Sequence, residues 1–363
     1  MDLGLLTVPL TMAAMAFGFV VVADNQTVVI DQIAVPGFVS GNTGFTPKVI
    51  INHLVDEMHE IEREARSGAR ARAIQLQGDK NALMVIADFV KVTPLIRVAQ
   101  ETVGLIPFTF RGEIVARDKE LEMVLRGHDA DRRSEYIVTR APSDQLPLLI
   151  KKTAYEAMRA IDPYILAAYQ FKKDFLTRDF TPTVAIISRQ LESEDDQYHK
   201  WMYNLWGMIL YQQADRAGAV EKFRAALAYD PSFASPMLNW GVVLARQGNN
   251  KEAIEKFQAV VGNRSGRVPA ATRAAAYSEW GFSLALMGRT EEAFAKFRQA
   301  GAADPGFADV YSSWAEVLSA LGRSDEATQM TGRALKLAPQ EVVYTENLIG
   351  AVQNLPAMAS VIN

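Results

Sequence analysis

The sequence predicts an α+β chain in three parts: an N-terminal membrane-spanning helix, a small α/β domain, and an all-α solenoid of repeated helix pairs. Three observations carry this reading. Leu3 to Ala23 is a run of 21 residues without a charge. Between residues 107 and 141 apolar residues alternate with a period of two, as strands require. From residue 200 onward a Trp-Gly pair returns at a nearly fixed spacing, as a helical repeat requires.

The 363 residues suffice for about two or three domains. A hydrophobic share of 49% against 22% charged is that of a globular chain, too apolar for a disordered one. The formal net charge of −4 argues against nucleic acid as the main partner, because phosphate binding draws on a basic excess. The absence of cysteine removes disulfide frameworks, thiolate zinc sites and thiol catalysis together. Four histidines leave little material for a His-rich metal site, and no cofactor is expected.

As a helix, residues 3–23 span about 31 Å, close to the roughly 30 Å of a bilayer core. An uncleaved anchor competes with a buried core helix and with a cleaved signal peptide, for which Val21-Val22-Ala23 offers small residues before Asp24. The run exceeds a signal core of about 7–15 residues and no Lys or Arg precedes it, so the anchor is preferred. Ala14 and Gly18 form a small-xxx-small pair suited to close helix approach. A short tail ahead of a large downstream region fits a signal-anchor. That places the chain in the cytoplasmic (inner) membrane as a single-pass protein, with its other domains on the periplasmic, extracytoplasmic side.

Residues 24–143 read as the small α/β domain, in the order β-α-α-β-β-β. Thr27 to Val35 is rich in β-branched residues and ends at Pro36-Gly37, which makes it a strand. After a loop holding Gly37, Gly41 and Gly44, Thr46-Pro47 supplies an N-cap and a proline at the first helical position. The helix carries Val49, Ile50, Leu54, Val55, Met58 and Ile61 and runs to about Arg66. Thr93-Pro94 opens a second helix, Leu95 to Val103, and Thr181-Pro182 a later one. Phe108-Phe110, Ile114-Val115, Leu121-Met123-Leu125 and Tyr136-Val138 predict a three-stranded meander, turning near Asp118-Lys119 and Asp129-Ala130-Asp131. In element order alone this distantly resembles the small N-terminal domain of Tol-type envelope translocation proteins.

A strand, a glycine-rich loop and a helix invite a phosphate-binding reading, which the residues do not support. The loop from Gly37 to Lys48 has no Gly-Lys pair, Pro47 removes a backbone donor, and no G-x-G-x-x-G is present. His53 and His59 lie on different helix faces, and His128 sits in a predicted turn beside Asp129. His199 follows an acidic stretch, Glu192 to Asp196, that reads as a solvated linker. Arg63, Arg66, Arg70 and Arg72 complement a helix C-terminus and are nearly cancelled by Glu57, Glu60, Glu62 and Glu64. No nucleophile, base and orienting group can be assembled, so no enzyme is expected.

The C-terminal half repeats itself. Trp206-Gly207, Trp240-Gly241, Trp280-Gly281 and Trp314-Ala315 stand 34, 40 and 34 residues apart. Each is followed at fixed offsets by Ala219, Ala253, Ala293 or Ala327, then by Phe223, Phe257, Phe297 or, out of pattern, Thr331. Ala226, Val260, Ala300 and Ala334 come next, and Pro231, Pro305 and Pro339 close every unit but the second. This pattern resembles the tetratricopeptide repeat (TPR) family, and with the N-terminal run it is similar to the bacterial membrane-anchored type. Small residues let two antiparallel helices approach, Trp and Phe fill the gap, and Asp-Pro ends one helix and turns into the next. Six extra residues lie in Gly262 to Pro269, at a turn between repeats, where a longer loop leaves the stack intact. Asp162-Pro163 predicts a degenerate repeat at 166–199 in a helical connector, 144–199; four repeats fill 200–340, and a cap helix with a tail fills 341–363.

The resemblance implies a concave groove lined by the first helix of each repeat. That assigns Trp201, Asn204, Met208, Tyr211, Leu238, Asn239, Val242 and Phe282 to a protein-binding groove, with Ala275, Asp309 and Ser312 beside them. Members that grip a terminal carboxylate use Lys, Asn and Arg there. Asn204, Met208, Asn239, Ala275 and Glu279 stand at the matching positions, and only Asn239 fits. An apolar, aromatic groove suits an amphipathic helix or an extended peptide. The sequence thus predicts an adaptor or scaffold, held at the membrane by residues 3–23, that binds proteins in the assembly or organisation of an envelope complex. A constitutive accessory subunit of a membrane complex is the alternative, and an enzyme using the α/β domain is a third.

Overall fold

The computed structural model describes residues 28–65, 108–129, 134–265 and 268–337, which fall in two compact units meeting in sequence at Asp179 and Phe180.

In the first unit β-branched Val28–Ala34 forms strand β1, parallel to β2, Phe108–Arg117. Strand β3, Glu120–Asp129, and β4, Ser134–Pro142, follow antiparallel, giving the sheet order β1-β2-β3-β4. The meander is therefore where the period of two puts it, and Asp118 takes the left-handed turn with φ 53°. The glycine-rich segment differs from the expected loop: Gly37–Thr43 is a short helix, α1, ended by Gly44 at φ 72°. Helix α2 runs Pro47–Ala65, and the Thr46 hydroxyl accepts from the Val49 amide at 3.4 Å, the cap that the Thr-Pro pair implies. Helix α3, Leu146–Ile161, packs on β3 and β4, while α2 packs on β1, on α3 and on α4, Pro163–Thr177. Odd-numbered Leu121, Met123 and Leu125 of β3 are buried, as are Ile50, Leu54 and Met58 of α2 and Leu149 and Ile150 of α3. Across the sheet, Arg126 pairs with Glu113 at 2.8 Å and Arg140 with Glu122 at 2.7 Å.

The second unit is helical. Helix α5 is Thr181–Leu191. Four helix pairs follow: α6 (His199–Gln212) with α7 (Arg216–Tyr229), α8 (Ala234–Arg246) with α9 (Asn250–Val261), α10 (Ala270–Leu286) with α11 (Thr290–Ala303), and α12 (Ala308–Ala320) with α13 (Ser324–Leu337). Each pair packs on itself and on the next, and first helices also touch one another: α6 on α8, α8 on α10, α10 on α12. Their common core is Phe223, Phe257 and Phe297, all essentially without exposed surface, with Ala219, Ala253 and Ala293. The Trp-Gly pair is explained by these rings. A Cβ added to Gly207 would lie 2.5 Å from the Phe223 ring, and one added to Gly241 would lie 2.5 Å from that of Phe257. The inserted residues are shared between a longer connection and a longer helix, since α10 has 17 residues against 13 in α8 and α12.

Two expectations are corrected. Over the described residues the fold class is a mostly helical repeat solenoid with a small four-stranded sheet, and no helix among them is long and apolar enough to cross a membrane. A span needs about 20 predominantly apolar residues, whereas α2, the longest described helix at 19 residues, carries Lys48, Asp56, Glu57, Glu60, Glu62, Arg63 and Glu64. The single-pass, inner-membrane placement is corrected on the same finding, since no described helix could serve as its span. Residues 3–23, the helix expected at 95–103 and the cap expected at 341–363 lie outside the described residues.

Candidate protein-interaction face

The first helices of the pairs hold the residues that the sequence assigns to a groove, and each has its own surroundings. Trp201 is half-buried, 6.2 Å from the Phe233 ring, with the Lys200 ammonium 4.5 Å above it. Lys200 itself is fixed by Asp230 at 2.7 Å. Asn204 is buried, and its side-chain oxygen accepts from the Asn239 amide nitrogen at 3.0 Å, an amide pair that links α6 to α8. Its own nitrogen reaches Met208 Sδ at 3.9 Å. Met208 and Tyr211 each pack one edge on the Phe223–Val243 core, and Leu238 and Val242 pack likewise beside Phe257. All four stay half-buried, so each keeps surface to offer. Phe282 is placed differently: only 6% exposed, it belongs to the core of the last two pairs. Ala275 and Ser312 are half-buried and Asp309 is exposed.

On the first helices α8, α10 and α12 charged groups come together. Arg246, the last residue of α8, has its guanidinium 5.4 Å over the Phe282 ring and 3.8 Å from Glu279 on α10. Burial pushes the Glu279 carboxyl up; Arg246 opposes this and Asp309 of α12 adds to it. Burial also raises Glu316 of α12, to about 7, where Arg246 again opposes and Glu279 adds. Arg246 and Glu316 are not among the sequence-derived groove residues. Neither stands at a position where the repeat signature fixes an amino-acid type, so only the helical phase of the first helices points to them.

Among the described residues no group of three or more acidic or histidine side chains could hold a metal ion. In the glycine-rich segment the helix α1 spans only seven residues, and the Thr46 hydroxyl is engaged as a cap.

Residues 204–268 and 284–345 each match a family model described as tetratricopeptide repeat. The chain carries tetratricopeptide repeats. Solved structures similar to it include a thermophilic TPR protein of Thermus thermophilus, at 20% identity over 53% of this chain and 98% of that one, with a TM-score of 0.42. Another is pilF of Pseudomonas aeruginosa, at 16% identity over 57% and 90%, with a TM-score of 0.40. A third is YrrB, described as a TPR protein with an unusual peptide-binding site, at 19% identity over 52% and 93% and a TM-score of 0.33. No curated protein matches the chain. Tetratricopeptide repeats act by protein–protein contact and are typically scaffolds without catalysis.

Proposed function

We propose that this TPR protein is a non-catalytic adaptor whose first-helix face grips an extended peptide or an amphipathic helix of a partner. The observation that carries the reading is the row of half-buried apolar side chains, Met208, Tyr211, Leu238 and Val242, each anchored by one edge in the core. A side chain so held has lost most of its rotamer freedom, so covering its outer edge costs little further ordering. Half-buried Asn239, whose nitrogen holds the buried Asn204, has a side-chain oxygen that can accept from a partner's backbone N–H.

The test is site-specific photo-crosslinking with the full chain. A photoreactive side chain at Tyr211 or Val242 is expected to capture a discrete partner segment, while the same group at Glu255, exposed on the second helix α9, captures none. Equal capture from all three positions would remove the groove from consideration.

A further inference from the structure

The charged end of the face is where the partner's chemistry can be read. Two carboxyls, Glu279 and Glu316, act on the single guanidinium of Arg246, and Asp309 acts on Glu279; the four groups come from three successive first helices, α8, α10 and α12. Arg246 does not satisfy Glu279. Its nearest approach to Glu279 Oε1 is 3.8 Å, an ion pair without a hydrogen bond, and its other contact is the Phe282 ring. Glu279 Oε2 is sealed from solvent and accepts no hydrogen bond, although a quarter of the side-chain surface elsewhere on the residue stays open, at 25%. A buried, unpaired carboxylate oxygen is costly, and a cation against the open part of the same carboxyl offsets that cost through its charge.

We infer that this end of the face seats a cationic side chain, Lys or Arg, of the bound partner segment, with its N–H groups directed at Glu279 and Glu316. The inference rests on the reading of the face as a peptide groove and adds the partner's charge to it. Charge complementarity selects the occupant: an ammonium or guanidinium neutralises the excess of carboxyls, whereas an acidic segment would add to it. The desolvated state of Glu279 and Glu316 fits the same end, since both carboxyls are held neutral more readily than usual until a cation arrives. The partner segment therefore carries apolar residues for Met208, Tyr211, Leu238 and Val242 and a basic residue about two helix pairs further along.

The experiment selects binders to the full chain from a random twelve-residue peptide library and sequences them. Enrichment of peptides that pair apolar residues with a Lys or Arg is expected. For the best binder, changing that Lys or Arg to norleucine on the peptide is expected to lower affinity at least tenfold. Glu279→Gln or Glu316→Gln should reproduce the loss, with helicity unchanged. Because the peptide-side change leaves the protein untouched, a misfolded variant cannot mimic the result. Binders that depend on Tyr211 but tolerate norleucine would overturn this inference and leave the groove intact. Binders indifferent to Tyr211→Ala as well, or no binders, would count against both, and enrichment of acidic peptides would overturn the charge assignment alone.

Discussion

Gly241 and Phe257 show how a pair of positions encodes one packing solution. The ring fills the space that a Cβ at Gly241 would need, 2.5 Å away. The fourth repeat bears this out by departing from it: Ala315 replaces the glycine and Thr331 the phenylalanine, so the added methyl coincides with the lost ring. Gly241→Ala is therefore expected to destabilise by about 1–3 kcal/mol through overpacking, and by clearly less in a Phe257→Thr background. Denaturant midpoints of the four proteins in that cycle measure the coupling, and simple additivity would refute it. Glu316 supports a second prediction at this scale. Its folded-state pKa of about 7 lies above the ordinary 4.5, so the stability it contributes is complete below pH 4.5 and is lost as pH rises toward and through 7. Melting temperature should fall over that window in the wild type and fall less in Glu316→Gln; equal slopes would show that the carboxyl is not desolvated as described.

At the scale of elements, the turn between the two helices of a repeat sets a requirement that the sequence meets unevenly. Gly248, Gly288 and Gly322 occupy the left-handed region at φ 82°, 74° and 71°, and at the corresponding place in the first pair stands Ala214 at φ 65°. An L-residue there costs about 1–2 kcal/mol, partly offset by the roughly 0.4–1 kcal/mol of unfolded-chain entropy that glycine adds. Ala214→Gly is expected to stabilise the protein by up to about 1 kcal/mol, read as a raised denaturant midpoint. A lowered midpoint would show that the turn is not strained. Most elements are legible in the sequence because one local rule sets each of them: Thr46-Pro47 for the start of α2, alternation for β2 to β4, and Trp-Gly for the helix pairs. The segment from Gly37 to Thr43 is not, because its glycines and an asparagine argue for a loop and the helix there is only seven residues long. Nor is the division of the insertion, since Ala270 to Arg273 carries no signal beyond helix propensity that distinguishes a longer α10 from a longer loop. In the candidate site the resemblance proposes the apolar residues, and buried Phe282 shows the limit of that route: phase alone does not tell a groove side chain from one turned into the core.

Across the whole molecule, stability is distributed according to which residues share a core. Each helix pair of the array packs on its neighbours, so the array behaves as a row of units coupled end to end. The sheet unit has its own core, in which Phe110, Leu121, Met123 and Leu149 are buried. Removing the ring of Phe257, fully buried in the second pair, deletes contacts with Ala245, Ala253 and half-buried Trp280 of the third pair. The cost expected for a large core truncation of this kind is about 3–5 kcal/mol. In Phe257→Ala, native-state hydrogen exchange should therefore show the largest loss of protection in α8 to α10, a smaller loss in α6, α7 and α11 to α13, and none in β2 and β3. Nearest-neighbour coupling dictates that gradient, because a repeat that loses its neighbour's interface loses part of its own stability and passes a smaller deficit along. A uniform loss through the array would mean that it opens only as one block, and a loss extending to β2 and β3 would mean that the two cores are energetically one.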